Sequence, residues 1–310
     1  MLTVLFATRN GARTLPGVLA AYCRLEPPVG GWKLVVVDNA STDDTGKIVN
    51  SFRDRLPLQY LYEATPGKNT ALNTGVGHIE GDIAVLTDDD VFPRPHWLVR
   101  IRKAADDQPG YSIFGGTVLP HWEVQPPEWI TGCVPAGPVF TLTSQSATEG
   151  PTSPESIYGP NMAVRAEIFR AGFRFDPSIG PMGANYAMGS ETEFVLRLAR
   201  LGHLAWHVAD AEVEHFIRDF QLTRAWILSR AVRFGRGHYR MTRAEQRSNI
   251  STWQGVPRHL FKQMLVQTAL MVKGAASFDE KSVFRARWAL NVVRGQIIEA
   301  RNLHLHARGY

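Results

Sequence analysis

Cysteine is nearly absent from this chain, since Cys23 and Cys133 are the only two among its 310 residues. Two cysteines cannot supply a framework of disulfides, and they cannot form a four-thiolate metal site. Their scarcity is typical of a protein from a reducing compartment, so we expect a cytoplasmic location.

Long hydrophobic runs are also lacking. The apolar stretch MLVQTALMV at residues 264–272 is nine residues long, far shorter than the ~20 residues that cross a bilayer. The N-terminal stretch MLTVLFATRN shows neither a basic leader nor a small-residue cleavage site. It therefore predicts a first β-strand and not a signal peptide.

Acidic residues are scarce toward the C-terminus. From Arg218 onward there are 17 Lys and Arg residues against 5 Asp and Glu, a balance of +12, whereas the preceding residues balance at −7. The net charge of +5 therefore conceals an acidic body and a basic tail, which we expect to meet different partners. A basic tail is suited to phosphate groups on lipids, on nucleic acid or on a substrate.

The apolar content of 44% and the charged content of 20% are typical of a folded protein. Four apolar runs, LTVLFAT, WKLVVVD, LQYLYEA and GDIAVL, alternate with segments of helical spacing, and no internal repeat accompanies them. This alternation predicts a parallel sheet covered by helices on both faces. Such a sheet binds ligands in a crevice beyond the carboxyl ends of its strands.

Acidic side chains lie at or just beyond the ends of two of these runs. Asp38 ends the second run, and Asp88, Asp89 and Asp90 follow the fourth. Because both strand ends face the same edge of the sheet, we expect these carboxylates to line one crevice. A Mg²⁺ or Mn²⁺ ion together with substrate phosphates would offset their mutual repulsion. The alternative for the triplet is a solvated acidic turn.

Six segments with chemistry-bearing residues occur in one order across residues 35–216. They are VVVDNASTDDT, TPGKNTALNTGV, LTDDDVFP, YGPNMAVRAEIF, GSETEF and EVEHF. As an ordered set they resemble the family 2 glycosyltransferases of the GT-A fold over residues 1–216. The resemblance implies an α/β fold with a Rossmann-like mixed sheet flanked by helices. It also implies a nucleotide-diphospho-sugar donor, a Mn²⁺ or Mg²⁺ cofactor, and direct transfer with inversion at the anomeric carbon.

On the donor side, the resemblance assigns Asp38 to the ring N–H of a pyrimidine base, which an acceptor-only carboxylate matches. It assigns Thr8, at the end of the first run, to the nucleotide. Lys68 and Asn73, at a helix start suited to an anion, would steady the donor. Capping of a helix or turn is the alternative for Asp38 and Thr8, and a solvated side chain is the alternative for Lys68.

The family's Asp-x-Asp pattern gives Asp90 to the metal and Asp88 to the ribose or sugar, with Asp89 secondary. The ion would bridge the two phosphates and stabilise the departing diphosphate as a Lewis acid. His215 in EVEHF matches a further metal ligand of the family, although a lone histidine is otherwise more often a packed or surface residue.

The general base is expected in GSETEF, where family members commonly carry Glu-Asp. This chain has Ser190-Glu191, so Glu191 replaces the expected aspartate and keeps a carboxylate that can accept the proton of an acceptor hydroxyl. On a helix, Glu193 would point away from Glu191. The alternative is that Glu191 sits favourably in the first turn of its helix.

Five further residues are predicted to contact a sugar. Tyr158, Asn161 and Met162 match a family segment that lines the donor sugar. Trp122 and Trp129 would form a stacking platform for an acceptor sugar, unless they are buried in the core.

We expect a nucleotide-sugar-binding half at 1–120, an acceptor-binding half at 121–217 with a mobile loop at about 144–156, and a basic helical extension at 218–310. The extension mixes arginines (Arg230, Arg233, Arg236) with aromatics (Phe284, Trp288). This mix fits an interfacial helix on an anionic membrane and equally a helix packed on its own domain.

The resulting hypothesis is an inverting transferase that extends a glycan or lipid-linked acceptor in polysaccharide biosynthesis, with a UDP-sugar favoured. Its expected place is the cytoplasm, peripherally on the inner face of the plasma membrane. One alternative is a catalytically silent sugar-nucleotide or glycan-binding module of the same fold. Another is a nucleotidyltransferase, for which ATRNGARTL has too few glycines. No recognisable module supports a nucleic-acid partner.

Overall fold

A computed structural model describes residues 1–181, 183, 186–243 and 251–306. They form two compact units. The sheet unit consists of Met1–His121, Phe140–Pro177 and Ser190–Phe216. The helical unit consists of Trp122–Val139, Ser178–Gly189 and Ile217–Tyr310.

The described residues form eleven β-strands and eleven α-helices, with three short 3₁₀ turns. The strands are β1 (Leu2–Thr8), β2 (Trp32–Asp38), β3 (Leu58–Tyr62), β4 (Ile83–Leu86), β5 (Val91–Pro93), β6 (Ile113–Trp122), β7 (Gly150–Thr152), β8 (Met162–Arg165), β9 (Ala205–Ile217), β10 (Thr252–Trp253) and β11 (Val256–Pro257). The helices are α1 (Leu15–Tyr22), α2 (Thr45–Asn50), α3 (Lys68–Val76), α4 (Trp97–Asp107), α5 (Glu128–Cys133), α6 (Ala136–Phe140), α7 (Ala166–Arg170), α8 (Ser190–Ala199), α9 (Arg224–Arg243), α10 (Arg258–Ala276) and α11 (Glu280–His306). The 3₁₀ turns are Pro154–Ser156, Gly159–Asn161 and Asp219–Leu222.

The first nine strands form one sheet in the order β3-β2-β1-β4-β8-β6-β9-β5, with β7 paired to β9. β3, β2, β1 and β4 are parallel, as their apolar runs predict. β8 is antiparallel to both β4 and β6. The α/β fold with a mixed, helix-flanked sheet is therefore confirmed, and helices α9, α10 and α11 follow it in the chain.

The core of the sheet unit explains why these strands are almost entirely apolar. Leu5, Val35 and Val37 are fully buried and belong to one cluster with Leu72 of α3. A Cβ on Gly75 of α3 would lie 2.3 Å from the Leu5 Cδ1 atom. A glycine is therefore needed for α3 to approach the sheet this closely.

Part of the segment predicted to be a mobile loop is regular structure. Within 144–156, β7 pairs with β9, with Gly150 opposite His207, and the 3₁₀ turn Pro154–Ser156 follows. Just before β7, the Glu149 carboxylate accepts hydrogen bonds of 2.7 Å from Trp206 Nε1 and from the Ala209 N–H.

The helical unit is built on the close packing of α9 against α11. A Cβ on Gly235 would lie 2.0 Å from the Val292 carbonyl oxygen, so the two backbones meet there. Beside this contact the fully buried Glu299 pairs with Arg236 at 2.7 Å and with Arg240 at 2.5 Å. Basic side chains of the tail are therefore partly used to neutralise a buried carboxylate.

The aromatics of the tail also pack inside the helical unit. Phe284 is only 5% exposed and meets Trp129 edge-on at 5.0 Å, and the Trp288 ring lies 6.5 Å from Phe234. Of the two alternatives for these segments, the structure shows the packed helix. Among the described residues, no helix combines the length and the apolar character needed to cross a bilayer.

Candidate active site

The predicted acidic residues gather where the strand order of the sheet reverses. β1 pairs with β2 on one side and with β4 on the other, which makes this edge the expected ligand crevice. Thr8 ends β1 in register with Asp38 at the end of β2. Asp88, Asp89 and Asp90 follow β4 after Thr87, so four carboxylates lie near the same edge of the sheet.

Thr8 holds one member of the acidic triplet. Its Oγ1 hydroxyl donates a hydrogen bond of 2.6 Å to Asp89 Oδ2, and Thr8 itself is only 2% exposed. This bond fixes the loop after β4 against the end of β1. The structure thus gives Thr8 a positioning contact, and its predicted contact with a nucleotide stays a prediction.

Asp38 is buried and uses both carboxylate oxygens. The Ser41 N–H donates to Oδ1 and the Tyr60 hydroxyl donates to Oδ2, each at 2.9 Å. The turn-capping alternative is therefore realised. Burial of the phenol and the hydrogen bond to Asp38 raise the pKa of Tyr60 to about 12. Because an ionised carboxylate offers about four lone-pair sites, Asp38 can still accept a further N–H.

Lys68 lies between two carboxylates from distant parts of the chain. Its Nζ is 2.5 Å from Asp88 Oδ1 and 2.6 Å from Glu191 Oε1. Burial lowers the pKa of Lys68, but the attraction and hydrogen bonds of the two carboxylates outweigh burial, so the pKa is raised well above its usual value. Lys68 is therefore a permanent cation shared by two anions.

The turn before α3 sets the position of Lys68. Gly67 has φ of 143°, a conformation that favours glycine, and its N–H donates to Asn39 Oδ1 at 2.7 Å. The Asn39 amide in turn donates to the Thr65 carbonyl at 2.7 Å. Sequence analysis missed Asn39, although its place directly after Asp38 was a usable signal.

Glu191 is the second residue of α8 and is tightly packed. Ser190 Oγ donates to Glu191 Oε2 at 3.0 Å, which occupies the oxygen that Lys68 does not. A Cβ on Gly159 would come within 2.6 Å of Glu191 Cδ, so the 3₁₀ turn that contains Gly159 covers the carboxyl group. Glu193 pairs instead with Arg197 at 2.9 Å, on the same helix.

Asp90 and His215 face one another across the β5–β9 pair. Asp90 Oδ1 lies 3.6 Å from His215 Nε2, while His215 Nδ1 lies 2.7 Å from the Phe140 carbonyl oxygen. Since a carbonyl oxygen only accepts, the proton of the neutral ring belongs on Nδ1, and in this form a lone pair is on Nε2. A carbonyl partner of this kind is the usual support of a metal-binding histidine.

These two side chains fit a divalent cation that is completed by substrate. Within the described ranges, no group of three or more His, Cys, Asp or Glu is arranged to hold a metal ion. Two ligand bonds of about 2.1 Å can span the observed 3.6 Å between Asp90 and His215. Mg²⁺ sites typically use one or two carboxylates and take further oxygens from substrate phosphates.

The two asparagines predicted as donor contacts are engaged by the protein. Asn73 donates to the Phe175 carbonyl and accepts from the Phe175 N–H, both at 2.9 Å. Asn161 is fully buried, donates to two main-chain carbonyls, and accepts from Trp97 Nε1 at 2.8 Å. Both amides hold the fold together, and we leave both out of the site proposed below.

The remaining predicted sugar contacts divide between core and surface. Met162 is fully buried in the core of the sheet unit, so its side chain does not line the crevice. Tyr158 is half-buried, and burial raises the pKa of its phenol. Trp122 and Trp129 are half-buried in the helical unit, where Arg224 lies 5.4 Å over the Trp129 ring.

The fold is similar to that of solved glycosyltransferase structures. The mannosyltransferase PcManGT from Pyrobaculum calidifontis, in complex with GDP-Man and Mn²⁺, superposes with a TM-score of 0.59 at 19% identity. That match covers 99% of this chain and 79% of the other. TarS 1–349 of S. aureus, in complex with UDP-GlcNAc, gives a TM-score of 0.55 at 14% identity over 99% of this chain and 91% of that one.

Two curated relatives share part of the sequence. The glucosyl-dolichyl phosphate glucuronosyltransferase of Haloferax volcanii is 21% identical over 208 residues, which is 64% of each chain. The succinoglycan biosynthesis protein ExoM of Rhizobium meliloti is 24% identical over 213 residues, 67% of this chain and 64% of that protein. The chain thus spans just under two thirds of the length of each relative.

The family model described as "Glycosyl transferase family 2" matches residues 3–169, more than half of the chain. The matched range contains Asp38, Lys68 and the acidic triplet, in the order that the sequence segments predict. The chain therefore belongs to glycosyl transferase family 2.

Proposed function

We propose that this protein is an inverting glycosyltransferase that moves a sugar from a nucleotide-diphospho-sugar to a hydroxyl of a glycan or lipid-linked acceptor. One observation carries the proposal: in a chain of this family, Lys68 joins Asp88 of the donor-side triplet to Glu191, the candidate base. Asp88, proposed for the donor, and Glu191, proposed for the acceptor, therefore both contact one lysine of the sheet unit.

The proposed donor is a UDP-sugar. Asp38 would accept the ring N–H of the uracil, next to the Ser41 N–H and the Tyr60 hydroxyl that orient its carboxylate. Asp88 and Asp89 would contact ribose or sugar hydroxyls, as hydrogen-bond acceptors. Two structural neighbours bind nucleotide sugars, GDP-Man in one and UDP-GlcNAc in the other, which supports the donor class.

Asp90 and His215 would hold a Mn²⁺ or Mg²⁺ ion together with diphosphate oxygens. When bound, this ion supplies a Lewis acid that offsets the charge of the leaving diphosphate. The presence of Mn²⁺ in the mannosyltransferase structure supports this choice of metal.

Glu191 would remove the proton of the acceptor hydroxyl. The acceptor oxygen then bonds to the anomeric carbon, the bond from that carbon to the diphosphate breaks, and the configuration inverts. Lys68 acts as a positioning residue, because its contact at 2.6 Å fixes the direction of the Glu191 carboxylate. A general base of this kind contributes about 10²–10⁴-fold to a rate.

A glycan or a polyprenyl-linked sugar is the proposed acceptor class. One relative is a glucosyl-dolichyl phosphate glucuronosyltransferase and another takes part in succinoglycan biosynthesis. A lipid-linked acceptor would bring the protein to a membrane surface, and we propose the inner face of the plasma membrane.

A catalytically silent module of the same fold is the second candidate. The observation in its favour is that both oxygens of Glu191 have partners, one with Lys68 and one with Ser190. The proton of an acceptor would therefore have to go to a remaining lone pair of this carboxylate, beside the partners it already has.

A panel of nucleotides and nucleotide sugars, read by thermal shift with and without Mn²⁺, tests the proposal. We expect metal-dependent stabilisation by one uridine nucleotide, and Asp90→Ala should abolish it. Glu191→Gln should bind the donor normally and lose about 10²-fold or more of transfer. Glu193→Gln, on the same helix but paired with Arg197, is the matched control and should transfer normally.

Metal-dependent binding without any turnover of donor would support the silent module. Normal transfer by Glu191→Gln would show that the base lies elsewhere. Stabilisation that is indifferent to Mn²⁺ and to Asp90→Ala would contradict the metal site.

A further inference from the structure

Helix α10 exposes an apolar surface in the helical unit. Leu265 is 70% exposed, Val272 is 60% exposed, and Val266 and Leu270 are each 47% exposed. All four lie in the stretch MLVQTALMV at 264–272. Clustered exposure of large aliphatic side chains marks an interaction surface more often than a neutral one.

The opposite side of the same helix is already packed. Leu260 is buried, and Phe261 and Met264 pack against the cluster that contains Val293 of α11. α10 is therefore apolar on its inner side and also on its outer side. Because clustered exposed apolar side chains mark interaction sites, the outer side is a candidate contact surface.

Phe278 extends this surface beyond the end of α10. It is 94% exposed, and its backbone has φ of 56°, a left-handed conformation that is strained for a bulky residue. The turn that holds it is closed by the hydrogen bond from the Asp279 N–H to the Gly274 carbonyl, at 2.9 Å. A bulky aromatic is thus held out into solvent where glycine would be the usual choice.

The charged side chains of α10 itself have one sign. Residues 258–276 contain Arg258, Lys262 and Lys273 and no Asp or Glu. Lys262 and Lys273 are three helical turns apart and so lie on the same side of α10, one at each end of the apolar stretch. Their long stems can lie along the apolar surface while their ammonium groups reach outward.

The next two carboxylates have local partners. Asp279 accepts from the Ser282 N–H at 3.0 Å, and Glu280 lies 3.3 Å from Arg224. Neither is directed at the two lysines of α10.

We propose that the outer surface of α10, with Phe278, docks on an anionic lipid membrane, its aliphatic side chains among the acyl chains and Lys262 and Lys273 at the lipid phosphates. The charge pattern favours this occupant over a second copy of the chain. A two-fold interface would place these lysines against their own equivalents, with no carboxylate of α10 to pair with them. The inference does not depend on the chemistry of sugar transfer.

Sedimentation with vesicles tests the inference on the full chain. Wild type should sediment with vesicles of phosphatidylcholine and phosphatidylglycerol and stay in solution with phosphatidylcholine alone. The double variant Leu265→Gln/Val272→Gln should lose about tenfold in bound fraction, because it removes the two most exposed aliphatic side chains of α10. The matched control is Leu201→Gln/Leu204→Gln, two exposed leucines of the sheet unit, and it should bind as wild type.

A second variant separates charge from apolar area. Lys262→Gln/Lys273→Gln should weaken binding to the anionic vesicles and flatten its dependence on salt. The circular dichroism spectrum and the unfolding temperature, both measured without nucleotide, should be near wild type in all variants, which shows that they fold and keeps this test apart from that of the transferase.

Three outcomes would overturn the inference. One is wild type that ignores anionic vesicles, and another is Leu265→Gln/Val272→Gln that binds them as wild type does. The third is a dimer, detected by light scattering without lipid, that the same double variant dissociates. That result would assign the surface to a second copy of the chain.

Discussion

Replacement of Lys68 by methionine removes the cation that joins two carboxylates of the candidate site. Methionine has nearly the same length, suits the first turn of a helix and cannot form an ion pair. In the wild type, Lys68 Nζ lies 2.5 Å from Asp88 and 2.6 Å from Glu191, and neither ion pair can form in the variant. Two anions would then face each other without a counter-ion.

The expected cost follows from these distances. Since Nζ lies 2.5 and 2.6 Å from the two oxygens, those oxygens are at most about 5 Å apart. At an effective dielectric constant of about 20, two unit charges at that distance repel by about 3 kcal/mol. The three side chains are 15–22% exposed, so water screens part of this repulsion. We expect Lys68→Met to lower the free energy of unfolding by about 2 kcal/mol.

Urea denaturation followed by circular dichroism measures this decrease in the absence of nucleotide. Lys47→Met is the matched control, because Lys47 also pairs with an aspartate at 2.7 Å but both side chains are largely exposed. Such exposed pairs contribute little, so the control should unfold like wild type.

The double variant Lys68→Met/Glu191→Gln gives the sharper test. If repulsion causes the decrease, neutralising Glu191 should restore most of the stability, and the two changes should be strongly non-additive. Lys68→Met with wild-type stability, or a double variant whose effects simply add, would refute the electrostatic account.

Three other variants test separate parts of the structure. His215→Ala should weaken Mn²⁺-dependent nucleotide binding by more than about tenfold in calorimetry, because the ring is one of the two protein ligands proposed for the metal; equal affinity would contradict the site. The pKa of Tyr60 is raised to about 12 in the fold. The part of the stability that comes from this shift is present below pH ~10 and is lost as pH rises toward 12. Tyr60→Phe should flatten this alkaline loss in urea titrations, and an unchanged profile would exclude the phenol. Glu299→Ala leaves Arg236 and Arg240 without their buried carboxylate and should cost about 3–5 kcal/mol, whereas the exposed Glu280→Ala should unfold like wild type.

Local sequence was sufficient for the strands and for the acidic edge of the sheet. Apolar runs that alternate with helices predict parallel strands, and the carboxyl ends of such strands share one edge. Asp38 and Asp88–Asp90 could therefore be brought together before any coordinates were known. The antiparallel direction of β8 could not be predicted, because MAVR is the same apolar pattern for either direction.

The contacts between distant segments were beyond the sequence. Lys68 and Glu191 are 123 positions apart, and only the packing of the starts of α3 and α8 brings them within 2.6 Å. Asn161 had the side chain and the position expected of a sugar ligand. The core uses it to satisfy two carbonyls and an indole N–H, and this demand arises only from tertiary structure.

In the tail, the sequence likewise could not predict which side of each helix is buried. Arginines and aromatics at helical spacing describe a surface helix and a buried one equally well, because periodicity does not say what covers each side. Glu299 decides the matter for α9 and α11, since a fully buried carboxylate requires Arg236 and Arg240 to point inward. The uncharged stretch of α10 contains no residue that indicates which side is buried, and only the structure shows which of its side chains are exposed.

The charge at the edge of the sheet is the physical reason for proposing that Lys68 and a divalent cation act together. Asp38 and Asp89 receive hydrogen bonds from neutral groups, which orient these carboxylates. Lys68 offsets only one of the two charges of Asp88 and Glu191. A donor diphosphate adds further negative charge to this acidic edge, so its approach is opposed unless more positive charge arrives with it. Asp90 and the lone pair of His215 Nε2 are placed to receive that charge, and binding of donor and of metal should therefore be strongly coupled.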